Sequence, residues 1–453
     1  MRKLLICILA LLPSALICAQ SLTGSWNGSI NLEQKSLPLV LHLSTENGEK
    51  KCLLDSPDQG AKGIETVLDY LSEDSIVLRV PAIRVSFNGK MKDGQIKGTF
   101  SQSGMRLPLN LKPGEFVRER KQTPRMPLPY PTEEVTFENK KDRAVLSGTI
   151  SYPITYMIQK NVPVVLLVTG SGQQNRDEEI MGHKPFAVLA DYLAKMGIAS
   201  LRYDDRGFGK STGDLRNATT YTFMSDALAG IEYLKSTGKF GKIGIIGHSE
   251  GGLIAFMSAA TSPADVDFIV SLAGTSVRGD KVLVKQNELL LSSNPATAPM
   301  SGDYCKVLTK ILGHLIEEKS VENTKDIVSL YCKEVGANLP VAALQNLQTV
   351  LESSNPWLKY FISYDPVGIL SKIDCPVMAI NGAKDTQVDA TINLSVLKQH
   401  LPANDFHLVK SYAGLNHLFQ HCSTGLVNEY ATIEETISPE VLEDIAHWIN
   451  GLK

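Results

Sequence analysis

A serine enclosed by glycines is the residue whose surroundings best support nucleophilic chemistry. Ser249 lies in GHSEG (residues 247–251), which fits the pattern G-x-S-x-G. A strand is predicted over Ile243–Ile246 and a helix from Leu253 onward, which is the strand–turn–helix context that this pattern requires. Glycines are needed on both sides because a β-carbon would clash in so sharp a turn. The hydroxyl would then stand at a helix N-terminus, where developing negative charge is favoured.

A serine is a poor nucleophile alone and needs a base within reach. His417 lies in GLNHLF (residues 414–419), a predicted loop after a late strand near the C-terminus. The chain order serine, acid, histidine requires a late histidine, which favours His417. His421 is its main competitor, and His248, inside the turn itself, is expected to point away from the reaction.

An acid is needed to orient the imidazole. Asp385 lies in a predicted loop directly after the strand Val377–Asn381. A carboxylate there would accept the imidazole N–H, fix the tautomer and stabilise the imidazolium. Asp389 is the alternative acid, although its position better fits a cap on the helix that follows.

Two backbone N–H groups are needed to hold an oxyanion. One is expected from Glu250, the residue after the nucleophile, and the other from a loop that follows an early central strand. The sequence TGSG (residues 169–172) follows the strand Val162–Val168, and the N–H of Ser171 is its best donor. A phosphate-binding loop is excluded because the Gly-Lys-Ser/Thr ending is missing.

The pattern of apolar runs indicates how these residues are positioned. From about residue 133, short strands alternate with helices, which is typical of a doubly wound α/β sheet. The alternation stops over residues 277–364, which are predicted to be a helical insertion that caps the serine. The predicted strands are Val145–Ile150, Val162–Val168, Ala199–Tyr203, Ile243–Ile246, Phe268–Leu272, Val377–Asn381 and Asp405–Leu408.

The preceding part of the chain has a different pattern. Residues 20–113 alternate in the strand period and are interrupted by turn signals, which predicts a small antiparallel β-barrel or sandwich. Residues 114–132 contain several prolines and are predicted to be a stiff linker. The α/β domain is then expected over residues 133–453.

The first 19 residues are interpreted as a signal peptide. Arg2 and Lys3 precede the apolar run Leu4–Leu12, which is too short to span a membrane as a helix. Cleavage after Ala19 predicts an exported protein, periplasmic or secreted. An uncleaved anchor and a lipoprotein modified at Cys18 are the alternatives.

Charge and cysteine content exclude several classes of protein and of binding site. The net charge of −3 offers no basic field for nucleic acid. Five scattered cysteines follow the leader and include no CxxC pair, so neither a disulfide framework nor a zinc site is supported. A single Cys305–Cys332 bridge is left open, with buried free thiols as the simpler interpretation.

These motifs together resemble a known group, the bacterial exported α/β hydrolases that carry a β-rich N-terminal domain. That group is related to serine carboxylesterases and to serine aminopeptidase-like hydrolases. The resemblance extends over nearly the whole chain after the leader, with one departure at Thr169, where many hydrolases have histidine. The matching pieces are LDSPDQG (54–60), GSG (170–172), RDE (176–178), DRG (205–207), GHSEGG (247–252), Asp385 and NHLFQ (416–420).

The resemblance implies a serine hydrolase that cleaves small-molecule carboxylic esters with short acyl chains through an acyl-enzyme. It implies no metal or organic cofactor, no nucleic-acid partner and no stable membrane span once the leader is removed; a homodimer is left open. One alternative is an aminopeptidase-type peptidase, which an acidic cluster in the cap would favour, with Glu317 and Glu318 as weak candidates. The other is a non-catalytic envelope binding protein, which an incomplete triad would favour.

Overall fold

The computed structural model describes most of the chain after the predicted leader, and residues 1–19 lie outside the described residues. The chain divides into two compact units, Met1–Arg118 and Glu119–Lys453, within the stretch predicted as a linker. The described residues are 22–32, 35–46, 48–59, 61–116, 118, 120–156, 158–159 and 161–452.

The first unit is one antiparallel sheet of nine strands in the order β4-β3-β2-β1-β9-β8-β7-β6-β5. The sheet is nearly closed, and the side chains that alternate inward along its strands form one apolar core around Trp26, Phe87 and Leu111. The strands are β1 (Gly24–Leu32), β2 (Lys35–Glu46), β3 (Glu49–Ser56), β4 (Ala61–Glu65), β5 (Val67–Leu71), β6 (Ser75–Val80), β7 (Val85–Lys92), β8 (Gln95–Gln102) and β9 (Met105–Pro113).

The second unit is built on a sheet of eight strands in the order β10-β11-β13-β12-β14-β15-β16-β17. The pairs β10–β11 and β11–β13 are antiparallel, and every later neighbour is parallel. The strands are β10 (Thr132–Asn139), β11 (Ala144–Ser151), β12 (Val164–Val168), β13 (Ala199–Tyr203), β14 (Ile243–His248), β15 (Phe268–Leu272), β16 (Val377–Gly382) and β17 (Leu408–Tyr412).

Helices cover this sheet, and five of them form an insertion between β15 and β16, here called the cap (α4 to α8). Two apolar clusters that share the sheet's alternating side chains hold these layers together. The helices are α1 (Pro185–Lys195), α2 (Thr220–Ser236), α3 (Glu250–Thr261), α4 (Gly279–Ser292), α5 (Ser301–Ile316), α6 (Thr324–Val335), α7 (Val341–Glu352), α8 (Pro356–Ser363), α9 (Val367–Leu370), α10 (Ala390–His400) and α11 (Pro439–Gly451).

The predicted fold class is confirmed, with local errors. The last strand begins at Leu408, not at Asp405, because residues 402–407 form a turn in which His407 accepts the N–H of Val377 at 3.0 Å. Cys305 and Cys332 are both free thiols, so the bridge left open by the sequence does not form. No helix of the described part of the chain is long and apolar enough to cross a membrane.

Candidate active site

Ser249 occupies a strained turn between β14 and α3. Its backbone has φ +54° and ψ −117°, a conformation that a residue with a side chain rarely adopts. The N–H of Ser249 donates to the carbonyl of Leu272 at 2.9 Å, which ties the turn to the neighbouring strand. The strain is held by the sheet and puts the hydroxyl at the N-terminus of α3.

The flanking glycines are required by the close approach of backbone atoms. A β-carbon at Gly247 would lie 1.9 Å from the carbonyl oxygen of Gly251, and one at Gly251 would lie 2.2 Å from that of Val168. Real β-carbons do not approach so closely, so neither position accepts a side chain without movement of the turn. The two glycines of the GHSEG motif are therefore required by the close packing of backbone atoms around the turn.

Asp385 and His417 are brought together by the loops after β16 and β17. Asp385 Oδ2 lies 2.7 Å from His417 Nδ1, and the carboxylate is fully buried. Its Oδ1 accepts the N–H groups of Gln387 at 2.7 Å and Val388 at 2.9 Å, which fixes the acid in one orientation. A proton on Nδ1 directed at the carboxylate leaves Nε2 of His417 as an acceptor.

The loop that carries His417 is ordered by its own polar side chain. Asn416 Oδ1 accepts the N–H groups of Leu418 and Gln420, each at 3.0 Å. A β-carbon at Gly382 would lie 2.3 Å from the carbonyl oxygen of Leu415, so the acid loop and the histidine loop can approach closely only because residue 382 is glycine.

The serine turn contacts this pair through His248, the residue before Ser249. The ring of His248, the preceding residue, lies 4.6 Å from that of His417, measured between ring centres. Ser249 Oγ donates to no acceptor within the described part of the chain. Catalytic hydrogen bonds in ligand-free enzymes are often long and tighten when substrate binds.

The predicted oxyanion loop lies against the serine turn. A β-carbon at Gly170 would be 3.1 Å from Cβ of Ser249. The N–H of Gly170 is already used, because it donates to Glu178 at 2.7 Å. Among the described residues, no acceptor takes the backbone N–H of Ser171 or of Glu250, so both remain able to hold an anion.

Thr169, the departure from the family pattern, has a structural partner. Its hydroxyl donates to Asp205 at 2.9 Å, and the other oxygen of Asp205 accepts the N–H of Gln174 at 2.8 Å. Burial raises the pKa of Asp205 to about 8, although these two hydrogen bonds act in the opposite direction. Thr169 therefore fastens the oxyanion loop to the turn after β13.

The competing residues take other roles. Asp389 caps α10 and accepts the N–H of Ile392 at 2.8 Å, as the capping interpretation predicted. His421 is exposed and pairs with Glu435 at 2.9 Å. In the peptidase interpretation, Glu317 was to bind an amino group, but its carboxylate is exposed and pairs with Lys319.

Sequence reasoning missed the contacts that Glu178, Thr220 and Trp357 make at the site. Glu178 contacts His248, whose ring faces His417, although His248 was expected to point away from the reaction. The carboxylate of Glu250 accepts the indole N–H of Trp357 from the cap at 2.9 Å and the hydroxyl of Thr220 at 2.6 Å. No signal in the sequence indicated these partners, which lie far apart along the chain.

Burial shapes the electrostatics of Glu250. It raises the pKa of this carboxyl above its ordinary value, and hydrogen bonds from Thr220, Trp357 and Ser171 oppose the rise. The same side chain thus joins helix α2, the cap and the oxyanion loop, one residue after the candidate nucleophile.

The sheet order, the strained serine turn and the placement of its polar neighbours define an α/β hydrolase, here preceded by a β domain. Residues 183–338 match the family described as serine aminopeptidase, S33. That range contains Ser249 but neither Asp385 nor His417, so the family match does not test the acid and the base.

The chain is also similar to a protein named as an esterase and to two solved structures. It is 26% identical to esterase EstD of Thermotoga maritima over 291 residues, which are 63% of this chain and 62% of that protein. The match thus spans about three fifths of the relative. Est1E of Butyrivibrio proteoclasticus with ferulic acid bound is 16% identical and covers 70% of this chain and 98% of its own, with a TM-score of 0.42. The esterase Pf2001 of Pyrococcus furiosus is 16% identical and covers 75% and 98%, also with a TM-score of 0.42.

Proposed function

We propose that the protein hydrolyses carboxylic esters of short acyl chains through a serine acyl-enzyme. The observation that carries the proposal is the buried Asp385–His417 pair, 2.7 Å apart, beside the strained turn of Ser249. The similarity to esterase EstD supports ester cleavage as the reaction. The acyl-chain length is inferred from the resemblance stated in the sequence analysis.

The proposed reaction has two stages, acylation of Ser249 and hydrolysis of the acyl-enzyme, and His417 transfers a proton in both. Nε2 of His417 takes the hydroxyl proton of Ser249 as Oγ bonds to the ester carbonyl carbon, and the oxyanion accepts N–H groups at residues 171 and 250. The carbon–oxygen bond to the alcohol breaks, and His417 returns the proton to the departing alkoxide. Water then attacks the acyl-enzyme with the same proton transfers and releases the carboxylic acid.

The test compares substrates and one substitution. Wild-type protein should hydrolyse p-nitrophenyl acetate and butyrate faster than the octanoate, and faster than aminoacyl anilides. Ser249→Ala should lower kcat by about 10⁴-fold or more and should abolish labelling by a fluorophosphonate probe. Ser236→Ala, at an exposed helical serine, is the matched control and should retain both.

A peptidase is the second candidate, and the observation that favours it is the family description of residues 183–338. Faster cleavage of aminoacyl anilides than of esters, lost in Ser249→Ala, would replace the esterase proposal with this one. Full activity in Ser249→Ala would contradict both. Absence of hydrolysis and of probe labelling in the wild type would leave the binding-protein interpretation.

We also propose that the protein acts outside the cytoplasm. The basic residues Arg2 and Lys3 followed by the apolar run Leu4–Leu12 support this location. N-terminal sequencing of protein from fractionated cells should give Gln20 as the first residue, in the periplasmic or secreted fraction. An intact Met1 in the cytoplasmic fraction would contradict it.

A further inference from the structure

A second histidine–carboxylate pair is buried beside the proposed triad. His248 Nδ1 lies 2.9 Å from Glu178 Oε1, and the two residues are 7% and 4% exposed. Neither belongs to the triad or to the oxyanion donors. His248 ends β14, and Glu178 lies in the loop after β12, so the pair joins two elements that meet at Ser249.

The partners of His248 determine its protonation. Nε2 lies 3.1 Å from the carbonyl oxygen of His417, which can only accept. Nδ1 faces Glu178 Oε1, an oxygen that already accepts the N–H of Gly170 at 2.7 Å. Because both ring nitrogens face acceptors, both must carry a proton, and the ring is an imidazolium. Burial opposes this charge, but the Glu178 carboxylate outweighs it and raises the pKa of His248 above its ordinary value.

The imidazolium is in contact with the proposed base. The rings of His248 and His417 are 4.6 Å apart between centres. The charged groups that face His248 are Glu178, from the loop after β12, and Asp385, from the loop after β16. The ion pair therefore lies against both the backbone carbonyl and the ring of the proposed base.

We infer that Glu178 and the imidazolium of His248 form a positioning pair for ester hydrolysis, an inference that rests on the proposed function. The pair holds the carbonyl of His417 and the N–H of Gly170 in one hydrogen-bonded chain, and so sets the base against the oxyanion loop. Because Nδ1 of His417 is directed at Asp385, this placement leaves Nε2 available to accept the proton of Ser249.

The charge on the His248 ring can be tested by NMR, without an activity assay. Protein labelled with ¹⁵N at its histidines should show, at pH 7.5, one buried ring with protons on both nitrogens, and His248→Gln should remove that signal. Glu178→Gln keeps the acceptor for Gly170 and removes only the charge, so the pKa of His248 should fall and the ring should lose its second proton at a lower pH than in the wild type. A neutral His248 ring in the wild type would overturn the inference.

The positioning role is tested by the steady-state kinetics of ester hydrolysis. In Glu178→Gln and His248→Gln, kcat should fall by about 10- to 100-fold, with KM within about twofold of wild type. An unchanged kcat in folded variants, with or without a change in KM, would overturn the inference, since a pair that positions the base acts on the chemical step.

A control variant and the wild-type enzyme distinguish failure of the positioning role from failure of the proposed function. His421→Gln removes the histidine of the exposed pair with Glu435 and should keep the wild-type kcat and KM. Circular dichroism confirms that each variant is folded. A wild type without esterase activity would contradict the proposed function and the positioning role together, and the NMR experiment would still decide the ion pair.

Discussion

At the scale of residues, the candidate site depends on hydrogen bonds that remove every alternative orientation. One carboxylate oxygen of Asp385 accepts two backbone N–H groups, and the other accepts the imidazole N–H of His417. Asn416 does the same for the loop that carries the histidine. Preorganisation of this kind lets a weak nucleophile be activated without reorganising the site at each turnover.

The two aspartates after β16 provide a matched comparison. Asp385→Asn should lower kcat by about 10⁴-fold, because an amide in place of the carboxylate favours the wrong tautomer of His417. Asp389→Asn should leave kcat unchanged, since asparagine caps a helix about as well as aspartate. Steady-state hydrolysis of p-nitrophenyl butyrate measures both. Equal losses in the two variants would show that Asp385 acts through loop structure alone.

The sequence predicts the loop positions of Ser249, Asp385 and His417, because each follows a recognisable strand. It does not predict the partners of His248 or of Glu250. Glu178 is 70 residues from His248, and Trp357 is 107 residues from Glu250. Such contacts arise from the packing of distant loops, which local periodicity does not encode.

At the scale of elements, hydrogen bonds from the side chain of Trp357 join the cap to the serine turn. Trp357 in α8 donates to Glu250 at 2.9 and 3.0 Å, and its ring stacks on Phe361 with centres 5.4 Å apart. Phe361 is buried in the core, whereas Trp357 links the cap to the turn.

Trp357→Phe tests this link. The ring is largely kept, but the buried carboxyl of Glu250 loses a donor, so the free energy of unfolding should fall by about 1–3 kcal/mol. Trp448→Phe is the control, because its indole N–H donates to the carbonyl of Phe406 at an exposed position and should cost less. Urea denaturation followed by circular dichroism measures both. Equal costs would contradict the importance of the buried link.

The elements themselves were predicted unevenly. β13 and β15 were predicted with the bounds that the structure shows, because each is a short apolar run between turn signals. β10 was missed, since its first three residues are polar and exposed and only Val135 and Phe137 are apolar. In the first unit the strand period is least clear over β3, β4, β5 and β8, because polar residues and glycines interrupt it there.

At the scale of the whole molecule, the buried carboxyl of Asp205 should contribute to the pH dependence of the free energy of unfolding. The pKa of Asp205 is raised to about 8 by burial, against about 3.9 in an unfolded chain. The folded state therefore binds this proton more tightly. Its stabilising effect is complete below pH 4 and is lost as the pH rises toward 8, by about 1.4 kcal/mol for each pH unit.

Asp205→Asn removes this dependence and retains the shape of the protonated side chain. Between pH 5.5 and pH 8, the melting temperature of the wild type should fall relative to that of the variant, and above about pH 9 the difference should become constant. Differential scanning fluorimetry at several pH values measures both proteins. Parallel curves over this range would show that Asp205 does not titrate in the folded protein.

Arg120 ties the stretch before β10 to the second unit. Arg120 is buried, and its guanidinium donates to the carbonyl oxygens of Ile433 at 2.6 Å and Ala431 at 2.9 Å. These carbonyls belong to the segment that leads from the His417 loop to α11, so removing the arginine would take a buried donor from the carbonyl of Ile433.

A chain that begins at residue 119 should therefore fold with one cooperative melting transition. A chain that begins at residue 132 should melt at a lower temperature, because it lacks Arg120 although it keeps every strand and helix of the unit. Arg120→Ala in the chain that begins at residue 119 should reproduce most of that loss. If both chains melt at the same temperature, residues 119–131 are only a connection; if the longer one melts higher, the proline-rich stretch belongs to the second unit.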